Sequence, residues 1–217
     1  MKFLKYLLMM CVSLFLVACN AVPKQNAPQD SIDVYIFADE DINPNILNDP
    51  SPVKVNILQL KTEVEFNQMS GLSPDGMYKQ HLGESVVDDI SMMVRPKTHM
   101  EFKLPNKRDV DYLGVVVAYR DLDNKWKMSL YKQDKRWYQN GGEYLYLNVR
   151  ANGVEQIGKK DALNKLLNEK LEKEGKKISS LTEKEKKKML DDLEKVMDKK
   201  KAANLKKGIY ISTEATQ

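Results

Sequence analysis

The chain has 217 residues, of which 42% are hydrophobic and 30% charged, which allows one globular domain with an appendage and excludes a wholly disordered chain. With only two histidines and two cysteines, the composition argues against a His/Cys zinc site and a cysteine–histidine–acid triad. The net charge of +4 is concentrated in residues 159–207, where 17 lysines stand against 10 acidic residues, so this segment differs in kind from the nearly neutral chain before it.

The amino terminus has the pattern of a secretion signal. Two lysines within the first five residues precede an apolar run over 6–17, which at about twelve residues is too short to cross a ~30 Å hydrocarbon core as a helix. The tetrapeptide at 16–19, Leu-Val-Ala-Cys, resembles the lipobox of bacterial lipoproteins. We therefore predict a signal peptide over 1–18 and lipidation of the Cys19 thiol. The alternative is an ordinary secretory signal that happens to contain a cysteine.

The residues after the lipobox predict where the domain is held. Asn20 follows the cysteine, which by resemblance to bacterial sorting rules favours the outer membrane, with the domain facing the periplasm. Residues 19–30 contain two prolines and no apolar periodicity, a composition typical of a tether. Because Cys11 leaves with the signal and Cys19 is lipidated, we expect no internal disulfide. No cofactor is predicted besides the covalent lipid on Cys19.

Residues 31–158 have the pattern of a β-rich domain. Alternation of apolar and polar residues predicts a first strand over 32–37, and the continuous apolar run 113–118 predicts a central strand that is covered on both sides. About seven strands separated by turn-forming residues predict a β-sandwich. The further strands are expected at 53–60, 86–94, 100–104, 112–120, 126–131 and 144–149.

Two short helices are predicted between the second and third strands. Thr62 and Glu65 have the spacing of a capping box, which begins a helix ending near Met69. The dipeptide at 73–74, Ser-Pro, is typical of an N-cap followed by proline at the first helical position, and it begins a helix that ends near Gly83.

The connection between the first two strands is unusually long. Residues 38–52 contain three prolines and several Asp and Asn residues, so they form no regular structure, and loops of this length in compact domains are usually functional or disordered. The polar composition predicts a small contribution to the core. We therefore expect a loop shortened within 42–49 to leave folding nearly intact.

Residues 159–207 predict a pair of amphipathic helices. Leucines recur at helical spacing after Asp161, the candidate N-cap, and Gly175 is the candidate stop. A second capping box at Thr182 and Glu185 begins the other helix. We expect a helical hairpin whose apolar side chains face each other or the sandwich, followed by a tail or edge strand at 208–217. The packing residues are expected to be Leu163, Leu166, Leu167, Leu171, Leu190, Leu193 and Met197.

The lysine excess of 159–207 has two interpretations. It is either a solvated helix face or a contact surface for cell-wall polymer or anionic lipid. Nucleic acid is not expected as a partner, because the segment contains no arginine and no aromatic residue that could stack on a base.

The sequence contains no pattern that organises a catalytic site. His81 and His99 are eighteen residues apart and lack metal-ligand spacing. There is no G-x-S-x-G nucleophile elbow and no phosphate-binding glycine loop. We therefore expect a protein that is not an enzyme.

Between Asp33 and Leu130, after the lipobox, several segments resemble those of one family and follow one another in the same order. They are the strand 34–38, the Asp-Ile-Asn-Pro-Asn element at 41–45, Ser-Pro-Val-Lys-Val at 51–55, Met-Val-Arg-Pro at 93–96 and the long apolar strand at 112–121 with Trp126 shortly after. In these features the chain is similar to the TssJ family, the outer-membrane lipoproteins of the type VI secretion system. Residues 159–207 have no counterpart in the pattern of that family.

The resemblance implies a transthyretin-like β-sandwich with a small helical insertion. It also implies binding to the periplasmic carboxy-terminal region of the inner-membrane protein TssM, with the loop between the first two strands as a main contact. The chain would then anchor a secretion complex to the outer membrane without catalysis. The alternative is a periplasmic carrier or cell-wall-binding lipoprotein with a β-sandwich ligand site. The partner-binding residues carried over are Asp39, Asp41, Asn43, Pro44, Asn45, Asn48 and Asp49.

Overall fold

The computed structural model describes residues 31–72, 76–107, 109–121, 123, 125–132 and 144–207, with side chains described as far as residue 198. The predicted signal peptide at 1–18, the tether at 19–30 with Cys19, and the tail at 208–217 lie outside these ranges. The strands are β1 (Ser31–Ala38), β2 (Val53–Leu60), β3 (Val86–Val94), β4 (His99–Pro105), β5 (Tyr112–Val117), β6 (Lys127–Tyr131), β7 (Tyr144–Arg150) and β8 (Gly153–Gln156). The α-helices are α1 (Val64–Gln68), α2 (Tyr78–Leu82), α3 (Lys159–Lys173) and α4 (Glu183–Lys207).

The strands form two four-stranded sheets. The first has the order β4-β1-β7-β8 and the second the order β3-β2-β5-β6. β1 and β7 run parallel, and the other neighbouring pairs are antiparallel. Side chains of both sheets share one core, in which Val34, Ile36, Val55, Ile57 and Val115 have no exposed surface. The predicted β-sandwich is confirmed.

Most of the predicted strands are found where the alternation placed them. β2 and β3 coincide with the predicted ranges 53–60 and 86–94. β5 ends at Val117, three residues earlier than predicted. β8 was not predicted, because its four residues are too few to show a period.

β5 is covered on both sides, as its apolar run predicted. Leu113 belongs to the core between the sheets, whereas Val116 packs in a second cluster with Phe66 of α1. Gly114 permits this close approach, because a Cβ at that position would lie 2.7 Å from a ring carbon of Phe66.

The capping box predicted at Thr62 is confirmed in one part, because the Thr62 hydroxyl accepts from the N–H of Val64 at 3.2 Å. α1 begins at Val64, and its N-cap is Glu63, which makes no side-chain cap hydrogen bond. The Glu63 carboxylate accepts a hydrogen bond from the Ser129 hydroxyl of β6, which ties the start of α1 to the second sheet. The second helix of the insertion, α2, begins at Tyr78, and the predicted start at 73–74 lies outside the described residues.

The two long helices have the limits that the helical period predicted, with one correction. The N-cap of α3 is Gly158, so Asp161 lies in the first turn and is not the cap. Gly175, with φ of 68°, ends the helix. The N–H groups of Gly175 and Lys176 donate to the carbonyls of Glu172 and Leu171, which is the Schellman arrangement.

The second predicted capping box is confirmed at the start of α4. The Glu185 carboxylate accepts from the N–H of Thr182 at 2.9 Å, and the Thr182 hydroxyl accepts from the N–H of Glu185 at 3.3 Å. The hydrogen bonds from Thr182 lower the pKa of Glu185.

The helical hairpin covers the outer face of the first sheet. Tyr35, Phe37, Tyr144 and Tyr146 on that face are all at most 5% exposed. β1 is therefore buried on both sides, and of the two arrangements expected for the hairpin, the one that faces the sandwich is found. Burial raises the pKa of each of the three tyrosines. In the hairpin Leu163, Leu167, Leu171 and Met197 are buried, whereas Leu166, Leu190 and Leu193 are partly buried.

Candidate partner-binding site

The loop at residues 39–51 follows β1 at the end of the strand opposite to Ser31. Eight residues of extended strand separate Ser31 from Ala38, which corresponds to about 25 Å. The neck of the loop is closed by a hydrogen bond of 3.1 Å from the N–H of Ser51 to the carbonyl of Ile42. Ile42 has no exposed surface and belongs to the core. The expectation that the loop contributes little to the core is therefore wrong at its neck.

Asn43 attaches the loop to the rest of the sandwich. Its side chain is 5% exposed, and its amide donates to the carbonyl of Pro52 at 2.9 Å. Its side-chain oxygen accepts from the N–H of Arg120 at 2.9 Å. With φ of 47°, Asn43 adopts the left-handed conformation that asparagine tolerates better than most residues. This residue therefore shapes the loop and is not available to a partner.

The tip of the loop, residues 45–49, is a compact turn organised by one side chain. The oxygen of Asn45 accepts from the N–H groups of Leu47 at 2.8 Å and of Asp49 at 2.9 Å, which is an Asx-type arrangement. The N–H of Asn48 donates to the carbonyl of Asn45 at 2.9 Å. Of the predicted contact residues, Asp41, Pro44, Asn48 and Asp49 are exposed and Asn45 is half-buried.

Two apolar side chains project from this turn. Ile46 is 98% exposed and Leu47 is 75% exposed. Neither was among the residues predicted to bind a partner, which were all polar or proline. Two adjacent large aliphatic residues in a loop of Asp, Asn and Pro were the signal that could have identified them, because exposed apolar surface held on a rigid support is typical of binding sites.

Asp39 ties the root of the loop to neighbouring elements. Its carboxylate lies 2.8 Å from the ammonium of Lys165 on α3 and 3.6 Å from the guanidinium of Arg150 at the end of β7. Its backbone N–H donates to Val149, and its carbonyl accepts from Lys97. Asp39 thus has a structural role, as Asn43 does.

An open cavity of about 480 Å³ lies beside the loop root. It is bounded by the loop at 39–41, the β3–β4 turn at 97–99 and α3. Ion pairs cross it, from Lys97 to Glu172 at 3.1 Å and from His99 to Glu169. The bond to Glu172 raises the pKa of Lys97. Although burial opposes it, bonds from Lys173 and His99 lower the pKa of Glu169.

The described residues contain no group of three or more His, Cys, Asp or Glu side chains arranged to hold a metal ion. The two histidines lie on different elements, with His81 on α2 and His99 at the start of β4. Within the part of the chain that the structure describes, no helix is both long and apolar enough to cross a membrane. The predicted lipid attachment site, Cys19, lies outside that part.

A family profile described as "Type VI secretion lipoprotein, VasD, EvfM, TssJ" matches residues 30–152. The match spans more than half of the chain and ends before α3, so the helical hairpin lies outside it. A comparison with curated proteins gave no significant match.

Three solved structures share the fold. Serratia marcescens Lip, a membrane-bound component of the type VI secretion system, is 21% identical, with a TM-score of 0.52 over 59% of this chain and 97% of its own. The lipoprotein TssJ1 of Pseudomonas aeruginosa is 20% identical, with a TM-score of 0.51 over 60% and 96%. A chain of a type VI membrane complex is 19% identical, with a TM-score of 0.50 over 59% and 98%. About two-fifths of this chain thus has no counterpart in these structures.

Proposed function

The chain belongs to the family of type VI secretion lipoproteins that includes TssJ, and from that premise we propose that it anchors the type VI secretion membrane complex to the outer membrane. In this proposal the lipid on Cys19 holds the domain on the periplasmic face of the membrane. The loop at 39–51 binds the periplasmic carboxy-terminal region of a TssM-like inner-membrane protein. The protein acts by binding and performs no catalysis.

The exposed aliphatic pair at the loop tip is the observation that carries the proposal. Burying Ile46 and Leu47 against a partner removes a large apolar area from water, which is favourable. The hydrogen bonds to Asn45 fix the turn before binding, so less conformational entropy is lost on association. Exposed Asp41 and Asp49 supply the polar rim that surrounds such a contact.

The direction of the loop also supports the proposal. The tether precedes Ser31, at one end of β1, and the loop follows Ala38, at the other end of the strand. A lipid-anchored domain with this arrangement can present the loop away from the membrane, toward a partner that crosses the periplasm.

The charged cavity beside the loop favours this function over a carrier. Small-molecule sites are lined mostly by apolar and aromatic side chains. Around this cavity, by contrast, Lys97, Lys165, Glu169 and Glu172 are paired across the space. This cavity therefore gives no support to the alternative of a carrier with a β-sandwich ligand site.

Calorimetric titration of the chain with the periplasmic domain of the TssM-like protein from the same organism tests the proposal. We expect the double variant Ile46→Ser, Leu47→Ser to weaken binding by roughly tenfold to a thousandfold, because two aliphatic side chains at the centre of an interface carry much of its energy.

A matched control removes exposed apolar surface elsewhere. Val64 and Met93 are 55% and 56% exposed on α1 and β3, and the double variant Val64→Ser, Met93→Ser should bind as the wild type does. Equal affinities for the wild type and the loop-tip variant would contradict the proposed contact, and absence of binding by the wild type would contradict the proposed partner.

A further inference from the structure

We propose that the partner-binding surface continues from the loop across the β3–β4 turn to the carboxyl half of α3, and that Lys97 of this turn contacts the partner. The inference rests on the proposed function, because the partner is the one that the loop binds. It assigns a role to a part of the chain that the family profile does not cover, since α3 lies outside residues 30–152.

The tip of the loop is too small to form a stable interface alone. Such an interface takes about 20–30 residues on each side, whereas the tip consists of residues 45–49. At the neck of the loop, Ile42 and Asn43 are buried, so they add no contact area. A partner that holds the tip therefore also covers surface that flanks the loop.

α3 forms the flank on one side of the loop. Together with loop residues 39–41, four residues of α3 line the open cavity of about 480 Å³, namely Lys165, Asn168, Glu169 and Glu172. Positions i, i+3, i+4 and i+7 share one face of a helix. On this face Asn168 is exposed and the side chain of Glu172 is 55% exposed. A partner bound to the loop can therefore reach this face of α3.

Lys97 lies between the loop and α3, in a backbone conformation that lysine rarely adopts. Its N–H donates to the carbonyl of Asp39 at the loop root at 3.1 Å, and its φ is 56°. Among the described residues, the other non-glycine residues with a positive φ are Asn43 and Asn48 of the loop. Asparagine tolerates this region better than lysine does. Lys97 is therefore strained where glycine would not be, and such strain is typical of binding sites.

The ion pairs of Lys97 do not offset this strain. Its ammonium lies 3.1 Å from Glu172 of α3 and 3.8 Å from Glu40 of the loop. All three side chains are more than half exposed, and exposed ion pairs add little to stability. Stability therefore favours glycine at this position, and a contact with a partner accounts for the lysine.

The groups at this surface match hydrogen-bond acceptors on the partner. The Lys97 ammonium has three N–H donors and its nearest carboxylate is that of Glu172, so donors remain for a further acceptor. The exposed amide of Asn168 can both donate and accept. A carboxylate of the partner would be repelled by Glu40 and Glu172. The matching segment of the partner is therefore polar and uncharged, with backbone carbonyls or amide oxygens directed at Lys97.

Calorimetric titration with the periplasmic domain of the TssM-like protein, combined with thermal unfolding of each variant, tests the inference. We expect Lys97→Gly to weaken binding by roughly fivefold to fiftyfold, as for the loss of a hydrogen bond to a charged group. Its thermal stability should stay equal or rise, because glycine is unstrained at this φ. Asn168→Ala leaves the ion pairs in place and should weaken binding by roughly threefold to tenfold.

Matched controls remove the same residue types away from the loop. Lys61 is exposed and follows β2 at the end opposite to the loop. Asn67 is exposed on α1. Lys61→Gly and Asn67→Ala should each bind within about twofold of the wild type, because residues outside an interface contribute little to its energy.

The loop-tip variant separates failure of this inference from failure of the proposed function. Wild-type affinity for both Lys97→Gly and Asn168→Ala, together with weakened binding by the loop-tip variant, would overturn the inference and leave the proposed function intact. A lower thermal stability of Lys97→Gly with unchanged affinity would make the lysine structural and would also overturn the inference. Absence of binding by the wild type would contradict the proposed function and, with it, this inference.

Discussion

The backbone N–H of Arg120 donates a hydrogen bond of 2.9 Å to the side-chain oxygen of Asn43, which lies 77 positions earlier in the chain. Asn43 also donates to the carbonyl of Pro52. One side chain thus joins the loop to β2 and to the segment after β5. Asn43, which belongs to the element at 41–45 that resembles the family, therefore fixes the conformation of the loop. The surface that the loop offers to a partner is its tip, residues 45–49.

We predict that Asn43→Ala lowers the free energy of unfolding by about 2–4 kcal/mol. The substitution removes two part-buried hydrogen bonds of a buried side chain, to the N–H of Arg120 and the carbonyl of Pro52, and places alanine at a left-handed φ. Urea denaturation measures the change. Asn48 also has a positive φ, 64°, but is exposed, so Asn48→Ala should lower the free energy by only about 1 kcal/mol. Equal losses for the two variants would show that backbone strain, and not the buried hydrogen bonds, is responsible.

The second prediction concerns the hairpin. Leu167 of α3 has no exposed surface, so Leu167→Ala should lower the free energy of unfolding by about 2–4 kcal/mol through lost burial and a cavity. Val196 of α4 is 51% exposed, and Val196→Ala should have an effect of less than about 0.5 kcal/mol. Because the hairpin and the sheet share one apolar cluster, near-UV and far-UV circular dichroism should report a single transition. Two separate transitions would mean that the hairpin folds independently.

Sequence periodicity predicted those elements whose pattern is local. β2 and the capping box at Thr182 depend on residues within one segment, and both are found as predicted. Thr62 has the same capping-box spacing, and its hydroxyl accepts from the N–H of Val64, but the N-cap of the helix is Glu63. The spacing alone does not determine which residue becomes the N-cap.

The burial of β1 also depends on residues that are distant in sequence, which a local pattern does not reveal. Tyr35 and Phe37 alternate with the core residues, and this local pattern predicts a strand but does not show what covers its second face. They are buried because a hairpin more than a hundred residues later covers them. In the candidate site, the loop was predicted from its composition, and its polar contact residues were carried over from the resemblance to the family. The buried role of Asn43 and the exposure of Ile46 depend on hydrogen bonds that the sequence does not reveal.

A third prediction tests how the helical insertion is held. The ammonium of Lys127 on β6 donates to the carbonyls of Phe66 at 2.9 Å and Asn67 at 2.8 Å, and also to that of Met69. It therefore binds the carbonyls at the carboxyl end of α1, in addition to the bond that the Phe66 carbonyl accepts from the N–H of Met69 at 3.2 Å. Lys127→Met keeps the aliphatic stem but removes the donors, so we expect the free energy of unfolding to fall by about 1–3 kcal/mol. Urea denaturation measures this change.

Limited proteolysis should show where the effect of Lys127→Met arises. We expect faster cleavage within 66–72, because the last carbonyls of α1 lose their donors. Lys125→Met is the matched control, since Lys125 is exposed two residues earlier. If both variants were equally stable and equally resistant to protease, the lysine would not hold the insertion.

The fourth prediction concerns pH. Although burial opposes it, bonds from Lys173 and His99 lower the pKa of Glu169 below its ordinary value of 4.5. The unfolded state therefore binds more protons at pH values between the folded and unfolded pKa, and stability rises with pH there. The contribution of Glu169 is complete above about pH 4.5 and is lost as pH falls through the lower, folded pKa.

We therefore expect the difference in free energy of unfolding between the wild type and Glu169→Gln to be largest near neutral pH. The difference should be less than about 1 kcal/mol, because the pair is partly exposed, and it should disappear in acid. Urea denaturation across this range measures it. Glu174→Gln removes an exposed pair with Lys176 and should have little effect at every pH. A difference that stays constant into strong acid would exclude Glu169 ionisation as its source.

The last prediction concerns the anchor, for which Cys19 is the critical residue. Cys19→Ser removes the thiol that would carry the lipid, and we expect the domain to move from the membrane to the soluble periplasmic fraction. Diacylation and a further chain give stable membrane binding, whereas a contact through surface charge alone is weak and is screened by salt. Fractionation at physiological and at high salt, with metabolic labelling by palmitate, separates these contributions. Cys11→Ser is the matched control, because Cys11 lies within the predicted signal peptide and its loss should change neither labelling nor fractionation. Continued palmitate labelling of the Cys19→Ser protein would show that the lipid is attached elsewhere, whereas unlabelled protein that leaves the membrane only at high salt would show that an electrostatic contact, and not a lipid, holds it there.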